Sequence, residues 1–485
     1  MTSRAGWIFF SLILSSVFLV SNIFSWDQFV LNSSSLSRVV NDDGLNFAFE
    51  NETGTLSAWA RSSKRQFLED CSSNLAHEWV IVMGNEAGDT DSMAAAIAWA
   101  YYLSNLKEGP QKSIALLQTV EDALYLRPEN LLALNRSRMA PRHRDLLTIN
   151  ELPIKPFEIS KHLKGIVLVD HNVPTPGWRE APILSIIDHH QDRNLNKSAT
   201  PRVIEPSASC SSLVANLILD SEENRHVNDS EKKKSRIPDD LIDLLLRAIA
   251  IDSDGLRKHS SYKVDRKASK RLFKLSQWRR SQPDQISSRK WIKAELKKLM
   301  RSFEEEMASA RGDLEALDLR DLFRRDWKTI AVPTQNTKYP TLTLGFGSIP
   351  YSMEDQIERT PEKTTPEWFA IERAFTSEIG ADVSIILSKS TSPKTKKKER
   401  QLVVVVAHGW GKRLDSQAAT DLFDVICKGI EDEIKTLQKW ERPDKKPLLE
   451  RRMAWKLYDE HVGNLRRKVV MPIVQRAVSQ WHSTA

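Results

Sequence analysis

The chain has 485 residues, 40% hydrophobic and 28% charged, with 14 Trp and 16 Phe; that is apolar material for two or three cores and excludes wholesale disorder. Only 17 residues are Gly, which excludes collagen-like and glycine-rich chains, and no repeat of solenoid period is visible. A net charge of +7 suits a polyanion such as nucleic acid, a phosphate ester or anionic lipid, though it also fits ordinary solvated charge.

The first element in chain order is Trp7 to Trp26, uncharged throughout, with Arg4 before it and Asp27 after it. It reads as a signal peptide or short anchor, a tether that would put the body in the lumen. Sequons at Asn32, Asn51, Asn135, Asn196 and Asn228 are compatible with that. The alternative is a mis-called start ahead of a cytosolic enzyme beginning near residue 55. Cys71, Cys210 and Cys427 are widely spaced and form no CxxC, so a disulfide framework and a cysteine zinc site are not expected; a reducing compartment is mildly favoured.

From about residue 77 the pattern is α/β. Short apolar strands are expected at Val80–Met83, Ile114–Leu117, Ile166–Val169 and Ile183–Ile187, continuous in the manner of strands buried on both faces of a parallel sheet. Ser92 is expected to cap a helix carrying Met93, Ile97 and Tyr101; further helices should follow Ser209 and span Pro238 to Ile251. This alternation predicts a doubly wound, mainly parallel sheet, whose ligand sits outside the carboxyl ends of its strands. Residues 253–265 read as a linker and 266–327 as charged helix. Strands at Thr329–Val332, Thr341–Phe346, Val383–Leu387 and Leu402–Ala407, with helices near 365–378 and 415–439, make a second, smaller α/β lobe. The lysine-rich run Lys394 to Arg400 reads as a solvated hairpin loop, and Leu465 to Trp481 as a terminal strand or helix. The division expected is 1–55 for targeting, 56–252 for the first domain, 253–265 for the linker and 266–485 for the second.

Chemistry gathers where the first lobe's elements end. The strand at 80–83 runs into GNEAGDTDS, which holds Asp89 and Asp91; 166–169 ends in Asp170-His171-Asn172, 183–187 in Asp188-His189-His190, and the helix at 238–251 in Asp252. Any one of these is commonly a turn or a helix cap. Four in order in one domain point to metal. Carboxylates with one or two imidazoles suit Mn²⁺, Mg²⁺ or Co²⁺, and carboxylates converging on one spot repel unless cations neutralise them. Asp89 and Asp170 would hold one ion and Asp91, Asp170, His189 and Asp252 another, with Asp170 bridging. Two such ions form the clamp used for phosphoryl hydrolysis.

The ordered set GNEAGDTDS, VDHN, IDHH and IAID resembles the DHH phosphoesterase superfamily. SASCSSLV at 207–214 and GFGSIPYSMEDQ at 345–356 look closest to fungal exopolyphosphatases, with family II inorganic pyrophosphatases and prune-type phosphatases as near cousins. The resemblance covers roughly residues 75–485 and implies a DHH lobe and a smaller DHHA2-type lobe that pinch the substrate between them. It implies two divalent cations, Mg²⁺ or Mn²⁺ with Co²⁺ as a further candidate, and a monomer in the cytoplasm. Carried over position by position, Asp89, Asp91, Asp170, His189 and Asp252 match metal ligands, and His190 matches a phosphate-facing imidazole. Asn85 stands where the pyrophosphatases carry a ligating His, an indirect or weak ligand that should favour Mg²⁺. Arg466 and Arg467, in NLRRKVVMP, resemble the motif that grips the distal phosphate. Lys263, in SYKVD, resembles a phosphate-contacting lysine.

The expected activity is a metal-dependent exopolyphosphatase releasing terminal orthophosphate from inorganic polyphosphate. Within the enzyme class the alternative is a pyrophosphatase or short-chain or nucleotide phosphoesterase. A catalytically inactive scaffold on this fold would have lost a metal carboxylate, and all are present. A nucleic-acid exonuclease should add an OB-like module; none is visible, so no nucleic-acid partner is expected.

Overall fold

The computed structural model describes residues 53–227, 236–281, 288–391, 398–409, 412–439, 453–460 and 465–482. The segment 7–26 and most of the run 394–400 lie outside them.

The first sheet comprises β1 (Val80–Met83), β2 (Ser113–Leu117), β3 (Leu147–Thr148), β4 (Gly165–Val169), β5 (Ile183–Asp188) and β6 (Arg202–Ile204); β1, β2 and β4 are buried along their whole length, while the edge strand β6 is half-buried. Their order is β3-β2-β1-β4-β5-β6, and every pairing is parallel. The chain leaves β1 toward β2 on one side and returns to β4 on the other, so the topological switch lies between the carboxyl ends of β1 and β4. The edge strands β3 and β6 went unread in the sequence; with two and three residues they carry no periodicity to detect.

Helices α1 (Thr55–Ser72), α2 (Thr90–Tyr101), α3 (Pro128–Arg136), α4 (Cys210–Val227) and α5 (Asp239–Asp252) belong to this sheet's lobe. Every residue of α2 is buried, so it is a central helix rather than an amphipathic one. Its cap is Asp89, whose side chain accepts from the Ser92 N–H. That corrects the expectation of a Ser92 cap: the Ser92 hydroxyl is turned inward to Asp170.

The expected linker ends sooner than its composition suggests. Helix α6 (Lys263–Leu275) starts inside it, and α6 and α7 (Arg289–Gly312) contribute Ala268, Leu272, Phe273, Leu296, Met300, Phe303 and Met307 to the first lobe's core. Arg247 of α5 fastens α7 by bonding Glu306 at 2.6 Å and lying over the Phe303 ring at 4.1 Å. A charged helix was read as second-lobe material because one helical face is all that the first core needs.

The second sheet is mixed. It comprises β7 (Trp327–Pro333), β8 (Thr341–Ile349), β9 (Val383–Thr391), β10 (Lys398–Ala407), β11 (Gln438–Lys439) and β12 (Met453–Glu460), in the order β11-β12-β10-β9-β8-β7. Helices α8 (Leu319–Arg325) and α9 (Thr365–Glu378) cover one face, and α10 (Ser416–Glu433) and α11 (Arg467–Ser479) the other. The C-terminal stretch is therefore a helix. Lys398–Arg400 belong to β10, not to a loop.

Residues from Thr53 onward form one compact unit. The segment before α3 joins the lobes: Ala123 and Leu126 enter the second lobe's core, Tyr125 donates to Asp321 at 2.8 Å, and Arg127 donates to the Arg325 carbonyl at 2.9 Å. Among the described residues no helix is long and apolar enough to cross a membrane.

Candidate metal centre

The loop after β1 turns at Gly84. A Cβ there would lie 2.7 Å from the Ser92 carbonyl oxygen, so only glycine lets the loop lie against the start of α2. This close approach brings Asn85, Asp89 and Asp91 to the switch point.

Asp170 follows β4 with a φ of 61°, a left-handed conformation that costs a non-glycine residue about 1 kcal/mol and that Asp and Asn tolerate best. Such strain persists where surrounding contacts hold it. Here Asp170 Oδ2 accepts from Asn85 Nδ2 at 2.7 Å and from Ser92 Oγ at 2.5 Å. Its Oδ1 is buried and has no hydrogen-bond donor. His189 Nε2 lies 3.0 Å from that oxygen, out of hydrogen-bond alignment, and His190 Nδ1 lies 3.6 Å away. One ligand atom from each of Asp170, His189 and His190 falls within 4.8 Å of the others.

The two imidazoles are oriented differently. His189 Nδ1 meets the Ser207 carbonyl at 2.9 Å, which makes Nδ1 a donor and turns Nε2 toward the cluster, the arrangement of histidines that bind metal. His190 Nδ1 meets Asp188 Oδ1 at 2.8 Å. Asp188 also accepts from Asn172 Nδ2 at 2.5 Å and from the backbone N–H of His189. Burial would raise the Asp188 carboxyl, but the bonds from His190 and Asn172 outweigh it and hold it at about 2. Asp188, given no role from sequence, is thus the residue that positions His190; the signal available was its place in the DHH triplet.

Asp91 lies under α4. Its carboxylate accepts from Ser209 Oγ at 2.6 Å and from the N–H groups of Cys210 and Ser211 at 2.6 and 2.8 Å, so the helix N-terminus fixes it. The Cys210 thiol donates to the Ile187 carbonyl; burial pushes its pKa well up, which leaves it structural.

The field at this point is strongly negative. Burial, then the charges of Asp91 and Asp89, raise Asp170 to about 7 even though His189 pulls it down. Burial and the Asp91 and Asp89 charges likewise raise Asp252. Burial would lower His189, yet Asp170 and Asp91 hold it up at about 10. Two imidazoles turned toward a buried carboxylate oxygen, and carboxylates that raise one another, make a donor set that fits divalent cations.

Four expected residues remain to be placed. Asn85 gives its amide hydrogens to the Asp170 carboxylate and backbone oxygen, while its own Oδ1 accepts from the Ala87 N–H. It therefore supports Asp170 and offers no oxygen of its own, which removes the expected route to Mg²⁺ preference. Lys263 opens α6 with an exposed side chain, and no hydrogen bond or ion pair among those described ties it to the cluster. Arg467 spends one Nη on Asp326 at 2.5 Å and keeps its other Nη buried without a partner. Arg466 is the N-cap of α11.

Sequence reasoning also missed Arg311, at the end of α7, whose Nη2 lies 3.8 Å from Asp252. Its Nε is 3.9 Å from Glu129, a fully buried carboxylate that also meets Arg127 at 3.4 Å and Arg325 at 3.1 Å. Nothing in the helical charge pattern around Arg311 distinguishes it from a solvated face.

Two family models match the chain in order: the DHH family, N-terminal domain, at residues 79–249 and the DHHA2 domain at residues 305–477. Among curated relatives, a Schizosaccharomyces pombe protein named "Putative exopolyphosphatase" is 30% identical over 39% of this chain and 49% of its own length. Rat "Exopolyphosphatase PRUNE1" is 29% identical over 32% of this chain and 34% of its own. The Archaeoglobus fulgidus "Probable manganese-dependent inorganic pyrophosphatase" is 23% identical over 41% and 56%. The chain thus spans about half or less of the length of the first two relatives.

Proposed function

The chain belongs to the DHH family, with a DHHA2 domain behind its DHH domain, and on that premise we propose that it is a divalent-metal-dependent hydrolase of phosphoric anhydrides, an exopolyphosphatase that releases terminal orthophosphate from inorganic polyphosphate. The observation that carries this reading is the Asp170 Oδ1, buried and without a donor, facing two histidines at the switch point of a parallel sheet. Asp89, Asp91, Asp170, His189 and Asp252 would hold two cations. Such ions, when bound, neutralise the carboxylates and activate water for attack on phosphorus.

The chain's own groups do the rest. Asn85 and Ser92 hold the Asp170 carboxylate so that one oxygen is spent on the protein and one is offered inward. Asp188 fixes the His190 ring with Nδ1 toward itself, which leaves Nε2 at the half-exposed edge of the site to face a phosphate or steady the leaving oxygen. Arg311, Arg466 and Arg467 supply fixed positive charge for phosphates next to the scissile bond; guanidinium forks match phosphate oxygens in geometry. The lobe boundary consistent with this division falls after Gly312, so Arg311 serves from the metal side.

The test is orthophosphate release from polyphosphate, pyrophosphate and single-stranded DNA with Mg²⁺, Mn²⁺ or Co²⁺. Release from polyphosphate is expected, with chelator abolishing it. Faster turnover of pyrophosphate would recast the enzyme as a pyrophosphatase, and activity on DNA alone would overturn the reading.

A further inference from the structure

The second sheet carries a basic face that the hydrolytic site does not account for. Leu402 and Val404 of β10, and Leu387 and Ile385 of β9, share one face of the sheet with the core under α10 and α11. Strand alternation puts Arg400 and Lys398 on that same face, two and four residues beyond Leu402, and Lys389 beside them. Lys389 is the direct cross-strand partner of Arg400. Like charges directly opposite in a sheet destabilise it, and the intervening Glu399 points to the other face. Glu460 of β12 stands in register opposite Arg400 on its other side, so the repulsion that remains is centred on Lys389 and Lys398, and an anion bound across them would relieve it.

The cations are continuous with the site. Arg400 Nη1 donates to the Leu465 carbonyl at 3.1 Å, which sets its guanidinium beside the start of α11 and Arg466. The Lys389 ammonium is held below its usual range by burial first, and then by Lys398, Arg400, Arg466 and Arg311. Five cations from β9, β10, α7 and the cap of α11 therefore share one field. Arg311 in turn lies 3.8 Å from Asp252. The line runs from the acidic cluster outward, and Lys398 stands about 7 Å beyond Arg400 along its strand.

We propose that Lys389, Arg400 and Lys398 form a distal track for phosphate units beyond those held at the point of cleavage, and that this track makes the enzyme select long polyphosphate over pyrophosphate and tripolyphosphate. The inference rests on the phosphoanhydride hydrolase reading and gives it a chain length. A polyphosphate chain is the polyanion that the proposed hydrolytic site would cleave, and charge density alone suffices to hold it.

The experiment uses the full chain and its Lys389→Gln/Lys398→Gln double variant, both positions being exposed. Binding of long-chain polyphosphate and of tripolyphosphate is measured by calorimetry in chelator. Orthophosphate release is measured with metal on long-chain polyphosphate and on pyrophosphate. The variant should bind the long chain about tenfold more weakly and lose a similar factor in kcat/KM on it, while its pyrophosphate kcat/KM changes by less than about twofold. The slope of log affinity against log salt should shrink by about 0.7 per lysine removed, as on a single-stranded phosphate backbone. Equal losses on both substrates, or none on either, would overturn the track. An oligonucleotide that displaces polyphosphate at equal phosphate concentration would reassign the face to nucleic acid. If the wild type binds the long chain in a lysine-dependent way but cleaves no anhydride, the hydrolase reading fails and the track stands.

Discussion

The two sheets gather opposite charges by opposite means. At the ends of β1, β4 and β5 the acids are buried or half-buried, each is oriented by named donors, and one of them occupies a left-handed backbone. On β9 and β10 the cations are exposed or half-exposed and held mainly by strand alternation. On the function proposed above, the difference follows from what each would bind. A small cation needs its ligands fixed within a fraction of an ångström, so the sheet invests rigidity and accepts mutual repulsion. A flexible polyanion needs charge density along a line, and the geometry of any single lysine matters little.

Breaking the rigid side should have the largest effect. Asp170→Asn keeps the shape and suits the left-handed backbone but removes half the carboxylate; orthophosphate release should fall by at least about 10³-fold, since a clamp worth several kcal/mol is lost. Thermal melting should be little changed, and the rise in melting temperature on adding Mn²⁺ should disappear. A variant retaining a tenth of wild-type activity would show that Asp170 bridges nothing.

Between the two regions lies Glu129. Glu129→Ala leaves Arg127, Arg325 and Arg311 without their shared partner in a buried setting, so urea unfolding should show a loss of about 3 kcal/mol. An unchanged midpoint would mean that this ion cluster adds nothing to the joining of the lobes.

Asp188 sharpens the acidic side through pH. Its folded value of about 2 lies below the ordinary 3.8, so its contribution is complete above pH 3.8 and is lost as pH falls toward 2. That contribution is about 2 kcal/mol. Asp188→Asn should lack this component of the acid-unfolding profile while showing lower stability at neutral pH; parallel acid limbs for the two proteins would contradict it. The smallest effect is expected at Asn85. Asn85→Ala removes a donor to Asp170, and Mn²⁺ and Mg²⁺ activation constants should both weaken about tenfold, in step. A changed ratio between the metals would mean that the Asn85 oxygen does face an ion.

What could be read from sequence divides along the same line. The buried strands β1, β2, β4 and β5 announce themselves as unbroken apolar runs, and a doubly wound sheet then dictates that the acids after them meet. The second lobe was legible as strands and helices, and through Arg466 and Arg467 as a phosphate grip, but its basic strand face was not, because the Lys389 and Arg400 pairing depends on cross-strand register, which nothing local encodes. Asn85 shows a finer limit. Its position in the motif marked it for the metal centre, yet which of its two amide atoms faces inward is decided by Ala87 and Asp170, a question of hydrogen-bond satisfaction in three dimensions. Helix α7 shows a similar limit: its apolar stripe fits either core, and only packing sets it against the first.

The left-handed turn at Asp170 also bears on how this protein could change over generations. A position with φ near 60° admits Asp, Asn and Gly at little conformational cost and resists most other residues. Asn and Gly are each a single nucleotide away from an aspartate codon, and neither can serve as an ionised carboxylate. The mutations most accessible at the centre of this site therefore silence the chemistry while sparing the fold. If the proposed function holds, a lineage that duplicated this gene would have a short route to a stable copy that grips phosphate chains without cutting them, and so to a polyphosphate sensor or tether built on the same two sheets.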